Sequence, residues 1–233
     1  MFTVFPLLIA LLPAKFKPFL YRRLLGWQIG SNVHIGLSYI NGQHVIIGSN
    51  VTIGHFNILT TFRYLKIGSY TFIKNFNHFS GRCDHPKWPG YLEIGEGVNI
   101  MNHHYVDSHG KVEIGNNSIL AGRDTHIWSH SLSYEQAKPM LSPLEITVGE
   151  NVYVGARSTL VQCYIPDYSV IGAGSVVTRD FPSEPNCRLL IAGNPACVKK
   201  RYPLKTLNRV REPLNKDAFS KDPSITFNDE QNR

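Results

Sequence analysis

From Ile29 onward, aliphatic residues return every six positions, often followed by glycine: Ile29-Gly30, Ile35-Gly36, Ile47-Gly48, Ile53-Gly54, Leu59, Ile67-Gly68 and Ile73. The series resumes at Ile94-Gly95, Ile100, Val106, Ile114-Gly115 and Leu120, and again at Val148-Gly149, Val154-Gly155, Leu160, Ile165, Ile171-Gly172 and Val177. A period of six fits neither a helix nor an ordinary strand. A hexad supplies a short strand and a tight turn, its aliphatic residue pointing inward and its glycine or small polar residue serving the bend. Three hexads close one triangular coil, and stacked coils bury an aliphatic column that no single coil could bury.

Counting inward positions by threes gives coils starting near residues 29, 47, 67, 94, 114, 148 and 165, about seven in all. The irregularities fall after the third hexad of a coil: Leu65-Lys66, Arg82 to Tyr91, Val112-Glu113, and Ser131 to Glu145. The large insertions are therefore expected on one edge of the prism, and loops on a rigid scaffold are where function concentrates. The longest follows two clean hexads, Ile114 to Ile119 and Leu120 to Thr125, and the segment His126-Ile127-Trp128-Ser129-His130. The step from Leu160 to Ile165 is one residue short and lacks a glycine, so a tightened corner is expected there.

The chain has 233 residues, 42% of them hydrophobic, enough for one main domain over 29–201. Residues 202–233 are polar and proline-punctuated, which predicts an irregular tail. Cys83, Cys163, Cys187 and Cys197 show no paired spacing, so reduced thiols are expected rather than a zinc knot or disulfide framework. A formal charge of +7 suits a polyanion or a membrane surface, and no nucleic-acid motif accompanies it. Residues 1–28 form an apolar then basic arm. Pro6 and Pro13 interrupt the apolar run, which is too short to span a bilayer, and Lys15, Lys17, Arg22 and Arg23 follow it rather than precede it. Two readings stay open: residues 2–23 lie peripherally on an anionic membrane, or the arm packs on the first coils or a neighbouring subunit.

The ladder, together with Ile171-Gly-Ala-Gly-Ser-Val-Val-Thr-Arg-Asp180 and Ile191-Ala-Gly-Asn-Pro-Ala196, resembles the hexapeptide-repeat acyltransferases, in the branch similar to maltose, galactoside and exopolysaccharide O-acetyltransferases. The resemblance runs from about Ile29 to Arg201. It implies an all-β fold, a left-handed parallel β-helix, assembled as a homotrimer with acetyl-CoA in the groove between neighbouring prisms. It also implies transfer of the acetyl group to a saccharide hydroxyl, in glycan biosynthesis at the cytoplasmic face of a membrane, with a histidine as general base and no metal.

On that resemblance His130, at the mouth of the long insertion, is the expected catalytic base. A neutral imidazole can take the proton of a weakly nucleophilic hydroxyl as it attacks a thioester. His126 competes. Either it or Ile127 points inward, and Ile127 is the better core residue because an inward histidine needs hydrogen-bond partners among aliphatics. Asn102 and His104 are the expected acceptor contacts. For acetyl-CoA the resemblance maps Ala156 and Ala173 to the pantetheine arm, Tyr153 beside the groove, Thr178 and Arg179 to the nucleotide end, and Lys200 to a phosphate. Cys197 stands where relatives commonly carry a basic residue. Two alternatives come from other classes: a metalloenzyme similar to gamma-class carbonic anhydrases, with His104, His109 and His130 drawn together, and a non-catalytic hexapeptide scaffold.

Overall fold

The inward positions of the hexads stack in three parallel ladders. The computed structural model describes residues 4–133 and 140–204. On the first face, the strands His34–Ile35, Thr52–Ile53, Phe72–Ile73, Asn99–Asn102, Ile119–Arg123, Tyr153–Val154 and Val170–Ile171 follow one another in parallel, with Ile35, Ile53, Ile73, Ile100, Leu120, Val154 and Ile171 in one buried row. The second face carries Ile40, Leu59, Phe79, Val106, Ile127, Leu160 and Val177 inward. The third carries Ile29, Ile47, Ile67, Ile94, Ile114, Val148 and Ile165. Tyr39–Ile47 and Ile58–Ile67 are long strands that round the edge between the second and third faces and serve both. Each rung supplies one row of side chains to a shared interior, which explains why the period is six and why the rows are aliphatic.

The glycines directly after the inward aliphatic residues serve close approach of coils rather than the bend expected of them. At Gly68 an added Cβ would lie 2.5 Å from the Gly95 carbonyl group, and at Gly115 the same distance from the Gly149 carbonyl carbon. These glycines let successive coils approach. The left-handed corner conformation falls on small polar residues such as Asn50, Asn117 and Asn151, as expected, and on Gly97, Gly122 and Gly174, asparagine being the residue that tolerates it best after glycine. The short step before Ile165 turns through Gln162 at φ 42°, a tight corner as expected.

At the edge between the first and second faces, a buried polar column satisfies the turning backbone. Ser38, Asn57, Asn77, His104, Thr125, Ser158 and Ser175 occupy it. Asn57 Nδ2 donates to the Ser38 hydroxyl, Asn77 Nδ2 to Asn57 Oδ1, and the His104 N–H to Asn77 Oδ1. Such ladders meet the requirement that buried backbone groups be paired.

The amino-terminal segment forms two helices, Val4–Ala10 and Lys17–Leu25, where the sequence pattern suggested only an apolar arm. Their inner residues Ile9 and Tyr21 join the core cluster. At the other end, Cys187–Gly193 pairs antiparallel with Ala196–Pro203, which closes the first-face ladder beyond Val170–Ile171 with a hairpin. Among the described residues all four cysteines are free thiols. Most of the expected tail, residues 205–233, lies outside the described residues.

Candidate active site

The large insertions do emerge together, at the edge between the second and third faces. One follows His78–Gly81 and returns at Tyr91–Ile94; the other follows His126–Trp128 and returns at Glu145–Val148. The second opens as an antiparallel pair, His130–Ser133 with Met140–Pro143, and His130 is its first residue, opposite Pro143. Residues 134–139 of this insertion lie outside the described residues.

The strand Tyr105–Ser108 sits one rung below His126–Trp128, with Asp107 in register with Trp128. Val106 points inward, so Asp107 points outward, yet it is only 1% exposed because the insertions fold over it. Its carboxylate gathers donors. The Ser129 hydroxyl reaches Oδ1 at 3.2 Å, the His109 backbone N–H reaches it at 3.3 Å, and His130 Nδ1 lies 2.9 Å away. His109 Nδ1 stands 3.4 Å from Oδ2. The two imidazoles stack, with ring centres 4.9 Å apart. Buried Trp88, from the first insertion, presents itself edge-on to both, 6.0 Å from His109 and 6.3 Å from His130. Arg82 covers the indole at 4.6 Å and is held by Asp84, while Lys87 Nζ donates to the Leu141 carbonyl and straps the insertions together.

Ser129 anchors the floor. Its hydroxyl also accepts from the Gly110 N–H at 2.9 Å, and its carbonyl accepts from the Leu144 N–H at 2.7 Å. A Cβ on Gly110 would lie 2.1 Å from the Leu144 oxygen and 2.4 Å from the Ser129 oxygen, so only glycine fits where the insertion rejoins the coil.

An ionised carboxylate only accepts hydrogen bonds, so Asp107 holds the proton of His130 on Nδ1 and leaves Nε2 with a free lone pair. Burial lowers the His109 pKa, with Asp107 opposing and His130 reinforcing the shift. An oriented imidazole with a bare Nε2, roofed by tryptophan, is equipped for general-base chemistry.

The other expected site residues are spread along the prism. Ile127 is buried and His126 exposed, which settles their register. His104 is only 1% exposed, a rung of the polar column; its Nδ1 accepts from the Thr125 N–H at 3.2 Å, and burial pushes its pKa down to about 4. It faces the interior, where an acceptor would not reach it. Asn102 is half-buried, with Oδ1 accepting from the Asn75 N–H. Five residues of nearly extended chain, about 16 Å, separate His104 from His109, so the imagined cluster of His104, His109 and His130 does not form. Ala156 and exposed Ala173 lie on the edge between the first and second faces, a full face away from His130. On that edge the left-handed corner is held by Phe56, Phe76 and His103 on early coils and by Asp124, Arg157 and Gly174 on later ones, while a Cβ on Gly122 would lie 2.6 Å from that of Ala156. Tyr153 is exposed on the first face. Thr178 and Arg179 are exposed just past the end of the second face, Arg179 over the Phe181 ring at 5.1 Å; Lys200 lies over Tyr202 at 4.7 Å.

Sequence reasoning missed Asp107 and Trp88; it drew His109 to His130 only in the metalloenzyme alternative, and that pair, without His104, does come together. The repeat carried a usable signal for Asp107, since stacking Val106 on Ile127 puts position 107 next to 128.

Comparison with known proteins agrees with this architecture. No family model matches the chain. It is 34% identical over 120 residues to the galactoside O-acetyltransferase of Escherichia coli, covering 47% of this chain and 57% of that protein. It is 28% identical over 148 residues to WbbJ, a putative lipopolysaccharide biosynthesis O-acetyl transferase of Escherichia coli, covering 58% and 73%. Among solved structures it is similar to NeuO, an acetyltransferase specific for polySia, with a TM-score of 0.52 at 23% identity over 75% of this chain and 81% of that one. The chain thus spans little more than half the length of the galactoside relative. It is similar to acetyltransferases, as its ladder and closing motifs are.

Proposed function

We propose that this chain is an acyltransferase that moves an acetyl group from acetyl-CoA to a saccharide hydroxyl, with His130 as general base and Asp107 as its orienting partner. The observation that supports this most is the 2.9 Å pairing of His130 Nδ1 with buried Asp107 at the edge where both insertions emerge. In the reaction, Nε2 removes the acceptor proton as the hydroxyl oxygen attacks the thioester carbonyl. The tetrahedral intermediate then expels the CoA thiolate, and the imidazolium, balanced by Asp107, returns the proton to sulfur. Trp88 keeps water from the carboxylate, which strengthens that balance.

The architecture we infer is a left-handed parallel β-helix of about seven coils, working as a homotrimer. Ala156 and Ala173 lie one face away from His130 within one chain, so a groove using both sets needs a neighbouring copy that lays the edge carrying these two alanines beside this His130. Small side chains there fit a slender pantetheine arm. Arg179 and Lys200 are cations for its phosphates, and Thr178 and Tyr153 complete the borders. The galactoside and lipopolysaccharide names of the relatives support a saccharide acceptor, in glycan synthesis on the cytoplasmic side. Calorimetric titration with acetyl-CoA tests this reading. Saturable binding by the wild type and by His130→Ala supports it, with transfer lost only in the variant, and absence of binding by both refutes it.

One observation favours a second reading. Asp107, His109 and His130 present ligand atoms that all lie within 4.8 Å of one another, and two imidazoles with a carboxylate form a catalytic zinc donor set. In that case the metal replaces the shared protons. Stoichiometric zinc in the purified protein, lost in His109→Ala, would favour this reading over the acid–base one.

A further inference from the structure

The two amino-terminal helices close one end of the coil stack and bury only one side. Tyr21 stacks on Trp27 at 4.6 Å, both within the core cluster. Lys17, 1% exposed, donates from Nζ to the carbonyls of Ala10 and Gly36 and ties the first helix to the first coil. Arg22 donates to the carbonyls of Ile29 and Gly30. The cap is therefore fixed in place. Its outer side carries Phe5, Leu7, Leu8, Leu11, Phe16 and Phe19, each between 49 and 67% exposed. Isolated exposed apolar residues are ordinary, whereas six large ones within fifteen residues form a patch that marks a binding surface.

Charge indicates which kind of surface. No acidic residue precedes Asp84, while eight lysines and arginines do; from Asp84 onward there are sixteen basic and seventeen acidic residues. Four of those eight, Lys15, Lys17, Arg22 and Arg23, lie in the cap, which carries no acidic residue. Lys15 and Arg23 are exposed on the cap itself. A second copy meeting this face would set like charges against each other. Anionic lipid offers the complement, with acyl chains for the leucines and phenylalanines and headgroups for the cations. Among the described residues no helix is long and apolar enough to cross a membrane, so the fitting contact is peripheral.

We propose that this helical cap docks on an anionic lipid bilayer and holds the coil stack on its surface. The second-face ladder rises by four strand spacings from Tyr39–Ile47 to His126–Trp128, about 19 Å. A membrane-borne acceptor would then present its hydroxyl well above the headgroups, as the distal sugar of a lipid-linked glycan does. That corollary rests on His130 being the base; the docking does not.

Co-sedimentation of the full chain with phosphatidylcholine vesicles, with and without phosphatidylglycerol, tests the proposal. Binding is expected only with the anionic lipid, weakening with added salt. Lys15→Gln with Arg23→Gln should lower partitioning roughly fivefold per charge removed. Leu8→Ser, Leu11→Ser and Phe19→Ser together should abolish it, with acetyl-CoA binding retained. If the apolar variant fails to fold, the charge variant still decides. Failure to bind anionic vesicles overturns the proposal, as does binding that both variants leave intact. Loss of oligomer in the apolar variant, without vesicle binding by the wild type, would assign the face to a second copy and equally overturn it. Acetyl-CoA titration of the same samples reads the catalytic proposal separately.

Discussion

Replacing Asp107 by asparagine keeps the shape of the side chain and removes its charge, which isolates what the carboxylate does for His130. In the resting enzyme the 2.9 Å bond from His130 Nδ1 becomes a bond to a neutral amide oxygen, a difference of about 1–2 kcal/mol between charge-assisted and neutral hydrogen bonds. In the transition state the imidazole becomes cationic. An opposite charge some 4 Å away is then worth up to about 4 kcal/mol at the effective dielectric of a partly buried site. The transfer rate should therefore fall by roughly tenfold to a thousandfold. Removing the base itself, as His130→Ala, should cost about 10²–10⁴. Because the two residues act as one unit, the double variant should be no slower than His130→Ala alone. The assay is release of the CoA thiol with an acceptor that the wild type uses, alongside a thermal melt to establish that each variant folds. Full activity in Asp107→Asn, or losses that multiply in the double variant, would refute the dyad.

The buried imidazole of His104 makes stability depend on pH. Its folded pKa of about 4 lies below the ordinary 6.5, so as pH falls from about 6.5 to 4 the unfolded chain takes up a proton that the folded chain refuses. Stability contributed above pH 6.5 is lost across that window, by about 3 kcal/mol at most, and urea midpoints for His104→Asn should show a flatter slope there. Gly110→Ala forces a Cβ against the backbone of Leu144 and Ser129, and should destabilise by about 2 kcal/mol or more, visible as a lower melting temperature. Lys17→Met removes both Nζ bonds to Ala10 and Gly36; a loss of about 1–3 kcal/mol, with faster amide exchange in Val4–Ala10, is expected. Arg179→Ala with Lys200→Ala should weaken acetyl-CoA more than a CoA fragment lacking the nucleotide phosphates, read by calorimetry.

How far the sequence carried depended on whether a feature was periodic. The three-ladder stack and the common edge of its insertions were legible, because each aliphatic position repeats the same environment and each departure stands out. His126 and Ile127 were resolved correctly by one physical rule, that an inward histidine lacks partners among aliphatics. His104 was expected at the acceptor on resemblance alone, whereas the structure seats it in the polar column of Ser38, Asn57 and Asn77, where its backbone N–H and Nδ1 find partners. Asp107 was not singled out although its rung could be read from the stacking of Val106 on Ile127; Trp88 and the cover over the carboxylate come from two insertions folding together, a contact that no repeat encodes. The amino-terminal helices were obscured by Pro6 and Pro13; the fixed Lys17 contacts with the first coil come from tertiary packing.

The most direct test of the central claim is transfer itself. Purified wild type and His130→Ala are incubated with acetyl-CoA and a panel of saccharides, beginning with galactosides, and the products are read by mass spectrometry for an acetyl ester. The account predicts an acetylated sugar with equimolar CoA from the wild type, and a rate lower by about 10²–10⁴ from a variant that still binds acetyl-CoA. Equal product from both proteins would contradict it, as would an acetyl-CoA titration in which neither protein binds.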